Sequence, residues 1–317
     1  MWKRKVRVEA YSDRQYKKLI WTTEELRVDF VFKGVVLEAV DTCAINIFNT
    51  SRDTIVTLTN APILYVRLFA GYEDEEDSGL MLLFSGIVNN TWSRRVPPNN
   101  IITLYCLKES AIDILKVIPH EITQRDTTLL GALNGIAKAA GYTSGVNVVG
   151  LSDDILGALV PRRSFTGSTK KILDSLAREF QFYYTAKKDA LRVSPIMKAE
   201  VLEYLVKNSK GIVHKLELVR TKELPELGCQ KANISYVLSP SICAGDVIDI
   251  GDFIDKEGIS YAGIAAGQDI FTSKGYTEWA TLSVYMVQEI THIGSNYTDT
   301  WETKILGVRH HKTTVGA

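Results

Sequence analysis

The side chains in this sequence that could do covalent or metal chemistry are few and scattered. Gly167-Ser-Thr-Lys170 superficially resembles a phosphate-cradling loop. Such a loop needs the Gly-x4-Gly-Lys-Ser/Thr order, so that backbone N–H groups and the lysine converge on the phosphates. That order is absent, and Ser168 reads instead as a helix N-cap with Lys170 and Lys171 exposed behind it. The acidic run Glu73-Asp-Glu-Glu-Asp77 carries oxygen ligands for calcium. It lacks the ligand periodicity and central glycine of a calcium loop, and reads as a solvated hairpin tip.

The five histidines, His120, His214, His292, His310 and His311, show no His-x3-His or His-Glu-x2-His spacing that would bring two imidazoles to one metal. No Gly-x-Ser-x-Gly elbow presents a nucleophilic serine. Paired carboxylates for glycoside hydrolysis meet only in space, and no segment sets an isolated acid among aromatics. Cys43, Cys106, Cys229 and Cys243 lack metal-ligand spacing and read as small apolar core residues of a reducing cytosol. Fourteen tyrosines and five tryptophans could stack on sugars or bases, but most fall in β-alternations, where an aromatic packs. No catalytic, cofactor-binding or metal-binding residue is therefore assigned. The chain reads as non-enzymatic.

The 317 residues suffice for two or three domains. Lys+Arg and Asp+Glu both number 37, which argues against a protein built to grip nucleic acid. The basic Trp2-Lys-Arg-Lys-Val-Arg7 is not followed by the apolar core of a signal peptide, and no apolar run is long enough to span a membrane. Without a secretory route, the sequons at Asn49, Asn89, Asn233 and Asn296 read as chance.

The first ~115 residues alternate with the period of strands. Val6, Val8 and Ala10 face one way, as do Leu26, Val28, Phe30 and Phe32, and Lys33-Gly34 supports a turn or bulge. Pro97-Pro98 marks a loop. After Glu109 the pattern changes. Asp126 or Thr127 can cap a helix carrying Leu129, Leu130, Leu133, Ile136, Ala137 and Ala140, ended by Gly141. A second helix starts at Ser168 with Ile172, Leu173, Leu176 and Phe180 on one face. A hairpin, Phe182–Thr185 with Leu191–Val193, follows. The β pattern resumes near Ile212, interrupted by a Gly-rich loop from Asp255 to Lys274, and His310 onward reads as a tail. The expected fold is mainly β with an α+β insertion. A first tube-type antiparallel barrel spans 1–115, the insertion 116–204, and a second barrel 205–317. Both β regions open on an Asn-centred alternation, carry a Gly-bounded apolar strand and place a tryptophan late, at Trp92 and Trp301.

The order of these segments resembles that of baseplate hub proteins of contractile-tailed bacteriophages, the late control or tail-hub family. Tyr65-Val-Arg-Leu-Phe-Ala-Gly-Tyr72, an acidic loop and Leu83-Phe-Ser-Gly-Ile-Val88 are similar to that family's first barrel. Phe165–Ala177, Phe182-Tyr-Tyr184 and Leu191–Pro195 look like its α+β insertion. Leu238-Ser-Pro-Ser-Ile-Cys-Ala-Gly-Asp-Val-Ile248 looks like a turn of its second barrel. The resemblance covers roughly residues 25 to 309. It implies a homotrimer in the tail baseplate of a virion, assembled in the host cytoplasm and acting in genome ejection. Its partners would be a central spike protein, a tail tube or tube-initiator protein, a tape-measure protein and baseplate wedge proteins. DNA would pass only as non-specific cargo through the lumen. The readings to set against it are a cell-wall or polysaccharide hydrolase, a carbohydrate-binding β-protein, and the hub of a phage-derived injection particle.

Overall fold

A computed structural model describes residues 4–36, 41–72, 79–108, 117–124, 127–148, 151–160, 163–187, 190–195, 213–223, 225–227, 231–251, 263–264 and 284–308. The N-terminal part supplies β1 (Arg4–Tyr11), β2 (Leu19–Thr23), β3 (Val28–Val35) and β4 (Thr42–Phe48). It continues with helix α1 (Arg52–Asn60), β5 (Tyr65–Tyr72), β6 (Leu80–Val96) and β7 (Asn99–Lys108). Burial follows the period of two: Val6, Val8 and Ala10 are buried in β1, and Val28, Phe30 and Phe32 in β3. Strand β3 runs straight through Lys33 and Gly34 with no shift of register, so neither the turn nor the bulge expected there is present.

Helix α1 interrupts a stretch expected to be wholly β. Thr54, Ile55, Val56, Thr57 and Thr59 are β-branched and favour a strand by propensity. Ser51 overrides them locally, accepting a hydrogen bond from Thr54 N–H as N-cap, while Leu58 anchors the helix in the core.

The middle part is α+β, as expected. Helix α2 (Leu129–Ala140) buries Leu129, Leu133, Ile136 and Ala137 against helix α4 (Thr169–Phe180) and the strands β13 (Phe182–Lys187) and β14 (Ala190–Pro195). These two strands form the antiparallel hairpin read from sequence, and β10 (Val146–Val148) adds in parallel. Ser168 caps α4 by accepting from Lys171 N–H. Gly141 closes α2 in the left-handed region at φ 98°. The cap of α2 is Thr128, not Asp126 or Thr127. Thr127 is instead held in a two-residue bridge to β11 (Leu159–Val160), and Asp126 lies outside the described residues. The remaining described elements here are β8 (Val117–Gln124) paired with β12 (Arg163–Ser168), and the single turn α3 (Asp153–Leu156).

The C-terminal part gives β15 (Val213–Lys215), β16 (Glu226–Leu227), β17 (Lys231–Val237), β18 (Val247–Asp249), β19 (Gly263–Ile264), β20 (Val284–Ser295) and β21 (Trp301–Val308). Its strands do not stand apart from the first set. Strand β20 pairs antiparallel with β3, from Glu289 opposite Val35 to Ser295 opposite Asp29. One 14-stranded sheet therefore runs β19-β16-β17-β21-β20-β3-β4-β7-β6-β5-β1-β2, with β15 and β18 branching off β20. Among the described residues no pairing closes it into a barrel. One hydrophobic cluster lies beneath both parts and joins Val6, Phe32 and Phe84 to Tyr236, Tyr285 and Trp301. Glycine is required at 294, where a Cβ would sit 2.3 Å from Cζ of Phe30 and 2.9 Å from Cε3 of Trp301. The expected domain boundaries near 115 and 204, most of the Gly-rich loop, the Glu73–Asp77 tip and the tail from His310 lie outside the described residues.

Candidate functional site

Antiparallel pairing puts opposed residues on the same side of a sheet, so the strand registers build one outer face across both parts of the chain. It presents Ser235 and Val237 of β17, then Glu302 and Lys304 of β21, then Glu289, Thr291 and Ile293 of β20. It continues through Asp29, Val31 and Lys33 of β3, Ala44 and Asn46 of β4, Thr103 and Tyr105 of β7, and Trp92 and Arg94 of β6. Val31 and Trp92 remain 44% and 43% exposed on it. Most of its charges meet an opposite charge. Lys33 Nζ lies 3.1 Å from Glu289 across the β3–β20 seam, Lys304 Nζ 3.3 Å from Glu302, and Arg27 2.8 Å from Asp29. Exposed pairs of this kind add little stability. What they do is largely cancel the field of the face.

A clasp of polar groups fixes the seam. Asn296 uses its side-chain amide as an extra rung, accepting from Val28 N–H at 2.8 Å and donating to Leu26 O at 2.9 Å. Ser295 Oγ donates to Asp29 at 2.6 Å, and the guanidinium of Arg27 grips the same carboxylate through Nε and Nη2. Arg27 also stacks over Phe48, 4.1 Å from the ring centroid. Both ends of the Asn296 amide are thereby engaged.

Below the face, His292 is 1% exposed and stacks on Phe32 with ring centroids 5.5 Å apart. Its Nε2 donates to the carbonyl of Ile242 at 3.2 Å, which fixes the tautomer and leaves Nδ1 to accept from Thr303 Oγ1 at 2.9 Å. Thr303 Oγ1 in turn accepts from Ser239 N–H. This chain of bonds pins the 239–242 turn to the core. Burial disfavours the imidazolium and brings the His292 pKa down to about 4.

A second polar junction ties the middle part to the sheet. Asp246 is buried before β18, accepts from Cys243 N–H at 2.8 Å and from His214 Nε2 at 3.2 Å, and forms an ion pair with Arg192 Nη1 at 3.5 Å. Arg192 belongs to β14, so its guanidinium carries the link across. Tyr183 packs beside it against Val247 and Met286.

No cluster of three or more His, Cys, Asp or Glu suited to a metal occurs among the described residues. His214 and His292 lie in separate environments, and Cys43 and Cys106 face each other across β4 and β7 with burial pushing both thiols up. Lys170 pairs with Asp174 rather than projecting to a phosphate. His310 and His311 are outside the described residues, as is the acidic tip. Sequence reasoning missed the face and both junctions, because each is assembled from residues far apart in the chain. Asn296 carried no distinguishing local signal.

No protein-family model matches the chain, and no curated protein matches it by sequence. Its fold does match solved structures. The tail protein from Neisseria meningitidis MC58 superposes with a TM-score of 0.56 at 10% identity, over 96% of each chain. The 43 kDa tail protein of prophage MuSo2 from Shewanella oneidensis gives 0.56 at 9% identity, also over 96% of each chain. An Escherichia coli component of the type VI secretion system, itself similar in structure to bacteriophage T4 tail proteins, gives 0.52 at 6% identity, over 90% of this chain and 74% of its own. At these identities the likeness is one of fold.

Proposed function

We propose that this chain is a structural subunit of a phage-type tail, namely the baseplate hub, in which three copies form a ring between a six-fold tail tube and a three-fold central spike. The observation that carries the reading is the end-to-end match of the fold to two tail proteins, over 96% of every chain concerned. The sheet adds a physical reason. A conduit for DNA works best with a smooth wall of neutral field, and the charge-paired face made by both parts of the chain supplies such a wall. In this reading the two β regions, divided from the insertion near residues 115 and 204, act as similar tube-type modules. Three chains then present six of them. The spike, tube or tube-initiator, tape-measure and wedge proteins are the partners, and the role is non-enzymatic.

The type VI likeness favours one second reading, a hub of a phage-derived injection particle that carries protein instead of DNA. Particle-averaged electron micrographs of the purified chain test the shared claim. Three-fold rings with a central opening, lined by β3, β20 and β21, support the hub. Compact monomers, with or without a co-expressed spike, count against it.

A further inference from the structure

Strands β1 and β2 are joined by the loop Ser12 to Lys18, longer than the two-residue turn that most often closes a hairpin. The loop is built rather than slack. Tyr16 sits in the left-handed region at φ 55°, which a bulky aromatic rarely adopts. Its ring is 8% exposed, edge-on to Tyr11 and Tyr65 with centroids 5.3 and 6.1 Å away, and the Arg67 guanidinium lies over it at 4.1 Å. The Asp13 carboxylate turns back on the loop's own backbone, accepting from Lys17 N–H at 3.2 Å and from Lys18 N–H at 2.6 Å. Ser12 N–H donates to Lys18 O at 3.1 Å, and Tyr16 N–H to Asp13 O at 3.2 Å. With its one acid and its aromatic so engaged, the loop shows solvent Arg14, Gln15, Lys17 and Lys18, and beside them Leu19, 53% exposed. Backbone strain held in place by the surrounding packing marks a shape that is used.

We infer that this loop is a preformed docking knob for an acidic patch on another protein. Three cations to one acid leave it net positive, in a chain whose total charge is zero. Charge of that sign steers an acidic surface onto it and selects against a basic one. Because the Tyr16 anchor and the Asp13 bonds fix the shape before contact, little ordering is lost on docking. A protein is favoured over nucleic acid for two reasons. A phosphate backbone is gripped by basic residues spread along a face or a helix, and here they sit on one short loop. The exposed Leu19 beside them offers apolar area that a phosphate cannot use and a protein can. Only the partner's place in the tail rests on the hub reading; the docking surface and the sign of what it meets do not.

The test titrates the full chain into fluorescein-labelled poly-L-glutamate and reads anisotropy. A labelled DNA duplex serves as the rival ligand, and far-UV circular dichroism confirms that each variant is folded. The parent should bind poly-L-glutamate, more weakly as salt rises. K17E/K18E should weaken that binding by roughly tenfold. K171E/K222E, which changes the net charge equally at exposed positions elsewhere, should leave it within about twofold. Y16G keeps every charge and removes the anchor, so it should weaken binding severalfold, which loose surface lysines would not do. Equal losses in the two double variants, full affinity in Y16G, or no binding by the parent overturn the inference. Tighter binding of the duplex than of poly-L-glutamate, lost in K17E/K18E, assigns the loop to nucleic acid and overturns the protein partner. A chain that stays monomeric with its spike yet binds through the loop overturns the hub and leaves the knob standing.

Discussion

Trading a charged surface histidine for a buried neutral one gives His292 a measurable signature. Its pKa lies at about 4 in the folded chain against an ordinary 6.5, so the unfolded chain binds the extra proton first. Stability is therefore full above about pH 6.5 and falls as pH drops toward 4, by about 3 kcal/mol from this residue. Urea unfolding at a series of pH values reads the slope directly. In His292→Leu the part of the slope due to this group should disappear, whatever the variant's absolute stability. The Asp246 junction is a second residue-scale case. Replacing Arg192 by Met leaves a buried carboxylate short of one cation, and breaking such a pair costs on the order of 3 kcal/mol. Hydrogen exchange should speed up in Leu191–Val193 and in the strands packed beside them. Unchanged protection would mean that Tyr183 and its apolar neighbours alone hold the junction.

At the scale of elements, Gly294 carries the sharpest expectation. Gly294→Ala must push Phe30 or Trp301 out of their edge-on stack, whose centroids lie 5.9 Å apart, and overpacking of this kind costs about 1–3 kcal/mol. A drop in melting temperature together with an altered near-UV circular dichroism band checks it. A variant as stable as the parent would show that the stack yields freely. Strands such as Val28–Val35 and Tyr65–Tyr72 were legible in the sequence, because half-buried antiparallel strands write their alternation into it. Helices α2 and α4 were legible through their apolar periodicity and their Gly141 and Ser168 punctuation. Helix α1 was not, since five β-branched residues argue for a strand and only Ser51 argues otherwise. The pairing of Asp29–Val35 with Glu289–Ser295 was invisible for another reason. Alternation states which side of a strand is buried, and says nothing about which distant strand lies beside it.

For the whole molecule, that seam joins the two β regions in one sheet over one shared core. In the proposed hub, load would pass from spike to tube without the modules drifting apart. A continuous ladder from β17 to β6, locked by Asn296 and Ser295, is suited to that. The central claim, a three-subunit ring, is tested most directly by the mass of the assembled particle. Light scattering coupled to size exclusion, on full-length protein co-purified with its spike, should return three copies of this chain per particle. A particle holding one or two copies, or free monomer that never joins the spike, would contradict the account.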